Sequence, residues 1–145
     1  MPEKETIRKA RQDKRQGKSP STQAGEFVHE EIEHIREGKH GARSTKQAIA
    51  IGLSKARRAG VRLPPPARAS ASTRKQASHD LEKAKSHRKP SAKRSKAARS
   101  ALKDEGRAAA SSTALSRQAK TAARKRSPKS RHDAAVKAAR TRAAH

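Results

Sequence analysis

Large apolar residues recur at helical spacing between residues 21 and 38. The apolar positions are Ala24, Val28, Ile32 and Ile35, with Phe27 at the edge of their stripe. The opposite side carries an acidic stripe made of Glu26, Glu30, Glu33 and Glu37. Intervals of three and four residues on both sides are typical of an amphipathic helix. We therefore predict a helix over residues 22–37, with Ser21 or Thr22 as its N-cap and Gly38 as its C-terminal stop.

A second amphipathic pattern follows a short glycine-containing connection. It predicts a helix over residues 45–59, capped by Ser44 or Thr45 and ended by Gly60. Its buried side is expected to consist of Ile49, Gly52, Leu53 and Ala56. A glycine within a helix costs roughly 1 kcal/mol relative to alanine, so Gly52 indicates a close approach of a neighbouring helix. The two helices are expected to form an antiparallel hairpin.

The apolar core of this hairpin is small, with about six aliphatic side chains and one Phe. Such a core is marginal alone, which favours a homo-oligomer formed through residues 21–60. A charged segment over residues 3–16 precedes the hairpin and is expected to be helical only part of the time.

A semi-rigid linker is predicted at three consecutive prolines, Pro64, Pro65 and Pro66. They separate a predicted small helical domain, residues 1–62, from a low-complexity tail, residues 63–145. Residues 61–145 contain 24 Lys/Arg, 22 Ala and 12 Ser, and large aliphatics are sparse. Helix signals occur at residues 91–105, 113–126 and 130–144, but none of these stretches has an apolar face wide enough to pack. We expect a mostly α fold: a small N-terminal helical hairpin with a long basic tail, largely disordered or conditionally helical.

The composition excludes several classes of protein. Only 30% of the 145 residues are hydrophobic, and the chain has one Phe, no Trp, no Tyr and no Cys. So few large apolar residues argue against the rigid scaffold of an enzyme, and the lack of Cys excludes disulfides and thiolate metal sites. No apolar run approaches the roughly 20 residues of a membrane span, and the N-terminus has no apolar signal segment. We expect no enzyme activity, no cofactor, no small-molecule substrate, and a location in the cytoplasm at the nucleoid.

The charge favours a polyanionic partner. Lys+Arg number 38 and Asp+Glu 13, a net charge of +25. Residues 1–60 hold 14 basic and 8 acidic residues, whereas residues 61–145 hold 24 and 5. Self-repulsion of this size indicates binding to nucleic acid, with an anionic membrane surface disfavoured. DNA is favoured over RNA because the chain lacks the aromatic side chains that stack on unpaired bases.

Basic residues on the third predicted helix and along the tail are the candidate phosphate contacts. They are Lys46, Lys55, Arg57, Arg58, Arg74, Lys75, Arg88, Lys89, Lys93, Arg94, Lys96, Arg99, Arg117, Lys120, Arg124, Lys125, Arg126, Lys129, Arg131, Lys137, Arg140 and Arg142.

Two local motifs suggest other chemistry, and the spacing argues against both. His29 and His34 are five residues apart, whereas the helical zinc motif needs four, so we expect no metal site and treat both as exposed helix positions. Gly17-Lys18-Ser19 lacks the earlier glycine and the strand of a phosphate-binding loop. A helix-turn-helix is a further alternative for the hairpin. Its acidic stripe would be repelled by DNA, and the chain has no Asn to read base edges.

The stretch Ser44–Gly60 resembles a signature found in a family of short basic bacterial proteins of unknown function. The segment Phe27–Gly41 fits that family as well, and the resemblance covers residues 6–62. It implies a bacterial source.

The tail is similar in composition to linker-histone tails and to bacterial histone-like tails. Ser127-Pro128-Lys129-Ser130 resembles their Ser-Pro-basic-basic element, although the fourth position here is Ser. This resemblance implies contact with the DNA minor groove.

The hypothesis that follows is a non-specific, histone-like DNA-binding protein. RNA or ribosome association is an alternative, because phosphate contacts alone do not distinguish the two nucleic acids. A regulatory protein that binds a partner through the acidic stripe is another, and there the stripe could fold back on the basic tail.

Overall fold

The computed structural model describes residues 1–86 and 88–145. In that part of the chain every regular element is helical. The α-helices are α1 (Lys4–Arg15), α2 (Pro20–Arg36), α3 (Thr45–Arg58), α4 (Ala71–Ser86), α5 (Ala92–Lys103), α6 (Ser112–Arg124) and α7 (Pro128–Ala143). A single-turn 3-10 helix occupies Ala108–Ala110. The chain forms two compact units, Met1–Ser111 and Ser112–His145.

Side-chain caps and glycines set the ends of α2 and α3. Ser19, one residue before Pro20, accepts a hydrogen bond from the amide of Thr22 at 3.4 Å, so α2 begins two residues earlier than the sequence indicates. Ser44 caps α3 through the amide of Gln47 at 3.2 Å. Gly38 and Gly60 end these helices. Their φ angles are 76° and 99°, values that residues with a side chain rarely adopt.

Small residues bring α2 and α3 into close contact. A Cβ at Gly52 would lie 2.7 Å from the Cα of Val28, so only glycine fits there. Ala48 and Ala56, one turn on either side, are fully buried. The buried side of α3 is therefore rotated relative to the predicted one. Ile49 and Leu53 are only half-buried, because α2 packs closest to α3 along its small residues.

Helix α1 and the segment after α3 cover the hairpin. The core there consists of Ala10, Ala24, Phe27, Ala56 and Val61, with Ile7, Leu53 and Leu63 packed against it. The Phe27 ring is 1% exposed and lies in this core rather than at its edge. Helix α1 contributes Ala10 and Ile7 to the core, so tertiary contacts support it.

A buried aspartate ties α4 to α3. Asp80 is 1% exposed. It accepts hydrogen bonds from Arg58 Nε at 2.8 Å, Ser54 Oγ at 2.7 Å and Gln76 Nε2 at 3.2 Å. These bonds satisfy a charge that would otherwise be costly to bury. The first compact unit consequently continues past the proline run, where the sequence analysis placed its boundary.

The connection between α2 and α3 also holds the segment that follows α5. The amide of Gly41 donates to the Leu102 carbonyl at 2.7 Å, and the amide of Ala42 donates to Gly106 at 3.0 Å. Thr45 Oγ1 donates to the Ala109 carbonyl at 2.7 Å. Backbone contacts of this kind carry no hydrophobic periodicity, so the sequence did not indicate them.

The expectation of a largely disordered tail is wrong, because α4, α5, α6 and α7 occupy most of residues 71–143. Ala, Lys and Arg have high helix propensities, and breakers separate the helices. Pro128 stands at the first position of α7, and Ser127 Oγ accepts from the amide of Ser130 at 3.1 Å. These local signals specify helices even though α5, α6 and α7 bury no residue. No described helix is long and apolar enough to cross a membrane.

Candidate nucleic-acid interface

Helix α5 presents a basic row in the first unit. Lys96, Arg99 and Lys103 are spaced three and four residues apart and are exposed. Residues at this spacing lie on one face of a helix. Lys93 extends the row toward the helix N-terminus. The row spans about 15 Å at 1.5 Å per residue, so it is long enough to contact several phosphates.

Helix α6 has the clearest separation of faces in the second unit. Arg117, Lys120 and Arg124 follow the same spacing and are exposed. The opposite side of the helix carries Leu115, Ala119 and Ala122. The basic row therefore lies on one side of α6, in a geometry suited to a line of phosphates.

Helix α7 is basic around most of its circumference. Lys137 and Arg140 lie on one side, and Arg131 and Arg142 lie on the other. In the turn before the helix, Arg126 donates through Nε to Ser130 Oγ at 3.2 Å and through Nη2 to the Ser130 carbonyl at 3.4 Å. This contact holds one guanidinium beside the start of α7.

Three predicted phosphate contacts on α3 already have partners within the fold. Lys55 Nζ lies 2.6 Å from Glu31 Oε2, and Arg58 is bonded to Asp80. Arg57 is 7% exposed and donates to the Leu63 carbonyl at 3.1 Å. Of the three, Arg57 is buried, whereas Arg58 is bonded through Nε and is 49% exposed, and Lys55 is 24% exposed. Their assignment to the interface stays a prediction.

The remaining predicted residues are exposed. They are Lys46, Arg74, Lys75, Arg88, Lys89, Lys93, Arg94, Lys96, Arg99, Arg117, Lys120, Arg124, Lys125, Arg126, Lys129, Arg131, Lys137, Arg140 and Arg142. In the described parts of the chain, the ion pairs lie between residues 3 and 80. The cationic groups of α5, α6 and α7 are therefore not neutralised by carboxylates of the protein.

Lys103 and the basic residues of α1, including Arg11 and Lys14, are exposed too, although they are not among the predicted contacts. Helical spacing places Lys103 on the row formed by Lys96 and Arg99.

Most of the acidic stripe of α2 has partners within the fold, although only Glu30 of its four residues is buried. Glu30 is 6% exposed and accepts a hydrogen bond from the amide of Glu3 at 3.2 Å. His34 Nε2 lies 2.9 Å from Glu3 Oε1. The hydrogen bond from His34, followed by that from Lys39, lowers the pKa of the Glu3 carboxyl. The interpretation of His34 as an ordinary exposed position is wrong, since its side chain is only 13% exposed.

The comparisons with known proteins concern the N-terminal half. Residues 13–67 match the model of a family described as "Family of unknown function (DUF6496)". This confirms the resemblance to a family of unknown function, and the matched range contains α2 and α3 but none of α4–α7. No curated protein and no solved structure matches the chain. The basic helices beyond residue 67 must therefore be interpreted from their own chemistry.

Proposed function

We propose that this chain is a non-specific, histone-like DNA-binding protein of a bacterial nucleoid. The observation that carries the proposal is the set of exposed basic rows on α5, α6 and α7, whose charges form no ion pair with a carboxylate among the described residues. A net charge of +25 would attract any polyanion, and duplex DNA offers one phosphate charge about every 1.7 Å along its axis.

The mechanism is the neutralisation of phosphates by Lys and Arg with release of the counterions condensed on DNA. Phosphate contacts carry no sequence information, so binding should tolerate any duplex sequence. Each compact unit carries basic helices of its own, α5 in the first and α6 with α7 in the second. Two basic surfaces in one chain raise the effective concentration of the second contact after the first has formed.

The proposal also includes self-association and a location in the cell. A homo-oligomer through residues 21–60 would join further basic surfaces, and sedimentation velocity on the full chain would test it. The bacterial source and the nucleoid location follow from the family resemblance and the charge, and fluorescence imaging of the tagged protein beside a DNA stain would test the location.

The ion pairs of the acidic stripe disfavour a partner-binding role for that surface. Glu30 is buried, Glu33 is paired with Arg36 at 2.8 Å, and Glu37 is paired with Lys39 at 2.9 Å. RNA binding remains the alternative to DNA binding, because the basic rows would attract either backbone. The test therefore includes both nucleic acids.

The experiment is a fluorescence-anisotropy titration of the full chain at four salt concentrations, on two unrelated DNA duplexes and one RNA duplex. If the chain engages about 8 to 10 phosphates, log affinity should fall against log salt with a slope of roughly −7 to −9. The two DNA duplexes should bind within a few-fold of each other. A shallow slope with a large preference for one DNA sequence would overturn the proposal, and tighter binding to RNA would favour the alternative.

The α6 row provides a variant with a matched control. Replacing Arg117, Lys120 and Arg124 together by Gln should flatten the slope by up to about 3, equally on every duplex. The control replaces Ala119, Ala122 and Ala123 by Gln, which alters the same helix without changing its charge. An equal loss of affinity in the variant and the control would contradict a phosphate-binding role for the row.

A further inference from the structure

Two histidines and a buried glutamate converge where the chain leaves α2. Glu31 and His34 are three residues apart on α2, which places them on one helix face. The turn at Gly38 returns the chain so that His40 meets the same face, with the His34 and His40 rings 6.1 Å apart in an edge-to-face arrangement. One ligand atom from each of Glu31, His34 and His40 lies within 4.8 Å of the other two.

The side chains of this cluster face one another at short distances. His40 Nε2 lies 3.0 Å from Glu31 Oε1, and the Glu31 residue is 1% exposed. A proton on Nε2 would make this contact a hydrogen bond to the carboxylate. In the tautomer that donates from Nδ1 to the Gly41 carbonyl, 2.9 Å away, the Nε2 lone pair faces Glu31 Oε1, and a cation bound to both atoms would satisfy them.

The neighbouring groups orient the candidate ligands. Lys55 holds the other oxygen of Glu31, Oε2, at 2.6 Å, which turns Oε1 toward the histidines. A hydrogen bond to the Gly41 carbonyl favours the His40 tautomer with a free Nε2, as the outer partners of metal-binding histidines do. A second group contains Glu3, Glu30 and His34, and among the described residues Glu30 Oε2 is buried without a hydrogen-bond partner.

The donor chemistry favours zinc over other cations. Imidazole nitrogen with one carboxylate oxygen is a common ligand set for Zn²⁺, whereas Mg²⁺ and Ca²⁺ prefer oxygen alone. On a tetrahedral Zn²⁺ the ligand atoms lie about 3.3 Å apart, close to the 3.0 Å between His40 Nε2 and Glu31 Oε1. The adjoining pocket is rich in glutamates, namely Glu3, Glu5, Glu26, Glu30, Glu33 and Glu37, in a chain with only 13 acidic residues.

We propose that Glu31, His34 and His40 bind one Zn²⁺ ion, with a water molecule as the fourth ligand. The ion would join α2 to the connection before α3. The site lies within the family-matched segment and involves no residue of the basic rows, so it does not depend on the proposed DNA binding.

The first experiment is an isothermal titration of the metal-free full chain with ZnCl₂ in a non-coordinating buffer. Zinc should bind with a stoichiometry of one. The variants His34→Gln and His40→Gln should each weaken binding by about tenfold or more, since altering an outer partner alone typically costs about 10–100-fold. The control is His29→Gln, an exposed histidine on the same helix, whose affinity should equal that of the unchanged protein.

A second readout keeps the test decisive if a variant fails to fold, which circular dichroism would show. Zinc should protect His34 and His40, but not His29, from diethylpyrocarbonate in the unchanged protein, as mapped by mass spectrometry. Cobalt in place of zinc should give the visible absorption of a tetrahedral site. Absence of zinc binding, equal protection of all three histidines, or equal affinity of the His29→Gln and His34→Gln variants would overturn the proposal.

Discussion

At the scale of single residues, size determined the packing more than hydrophobicity did. Helix α3 turns Ala48, Gly52 and Ala56 toward α2, although Ile49 and Leu53 are more apolar. Backbone atoms of two helices approach closely only where the side chains between them are small. The dispersion energy gained along that contact offsets the small hydrophobic free energy that each small side chain gains on burial.

Substitution of two helical glycines should change stability in opposite directions. In Gly52→Ala, the new methyl group would meet the Val28 backbone at 2.7 Å, and the overpacking should outweigh the gain in helix propensity, for a net loss of roughly 1 kcal/mol. Gly25→Ala is the control, because nothing lies within 4 Å of its Cβ position. It should stabilise the protein by about 0.5–1 kcal/mol. Urea unfolding midpoints would measure both, and a rise in both would contradict the close packing.

At the scale of elements, helices form for two different reasons in this chain. Helices α1 to α3 share a core around Phe27, and α4 is held to α3 through Asp80. Helices α6 and α7 bury no residue, so their stability depends on propensity and capping. Loss of a cap should therefore have a larger effect on the helicity of α7 than on a helix held by tertiary contacts.

Two N-cap serines, one with and one without a capping hydrogen bond, test the role of the cap at helices that bury no residue. Ser127 accepts a hydrogen bond from the amide of Ser130, whereas Ser91, before α5, makes no side-chain capping bond. Ser127→Ala should destabilise the start of α7 by about 1 kcal/mol, which would lower the Cα secondary chemical shifts over its first turns. The matched substitution Ser91→Ala should leave the shifts of α5 nearly unchanged. Equal losses in both helices would show that the Ser127 bond has no capping role.

At the scale of the whole molecule, opposite charges are unevenly distributed. Ion pairs are concentrated around α1–α4, where they help to fix the tertiary contacts. Residues 112–145 contain ten Lys/Arg and a single acidic residue, Asp133. Eight of these ten basic residues lie on α6 or α7. If the proposed DNA binding holds, DNA should meet a mostly ordered surface, which avoids the entropic cost of ordering a coil.

Circular dichroism of the full chain tests this consequence. The free protein at low salt should already be strongly helical, and addition of duplex DNA should change the signal at 222 nm little, because α4–α7 are formed beforehand. The control is a DNA-only spectrum subtracted at each point. A predominantly unfolded spectrum that becomes helical on adding DNA would contradict the structure of the second half.

Much of the secondary structure follows from the sequence by itself. The apolar stripe of α2, the serine caps and the stops at Gly38 and Gly60 are local signals, and they place α2 and α3 within two residues of their ends. The net charge and its concentration in the second half are equally independent of the fold. The helices of the tail could also have been expected from Ala, Lys and Arg, had propensity been given more weight than the lack of an apolar face.

Only the tertiary structure decided which polar side chains have partners within the fold. Arg57, Arg58 and Lys55 look like phosphate contacts in the sequence, but they bind Leu63, Asp80 and Glu31. Glu31 and His40 meet only after the chain has turned at Gly38. The periodicity of the sequence indicates the helix face on which a residue lies. The hydrogen bonds of that residue depend on which atoms, distant in sequence, lie next to its side chain. Such partners are determined by the packing of whole helices, which no local pattern in the sequence contains.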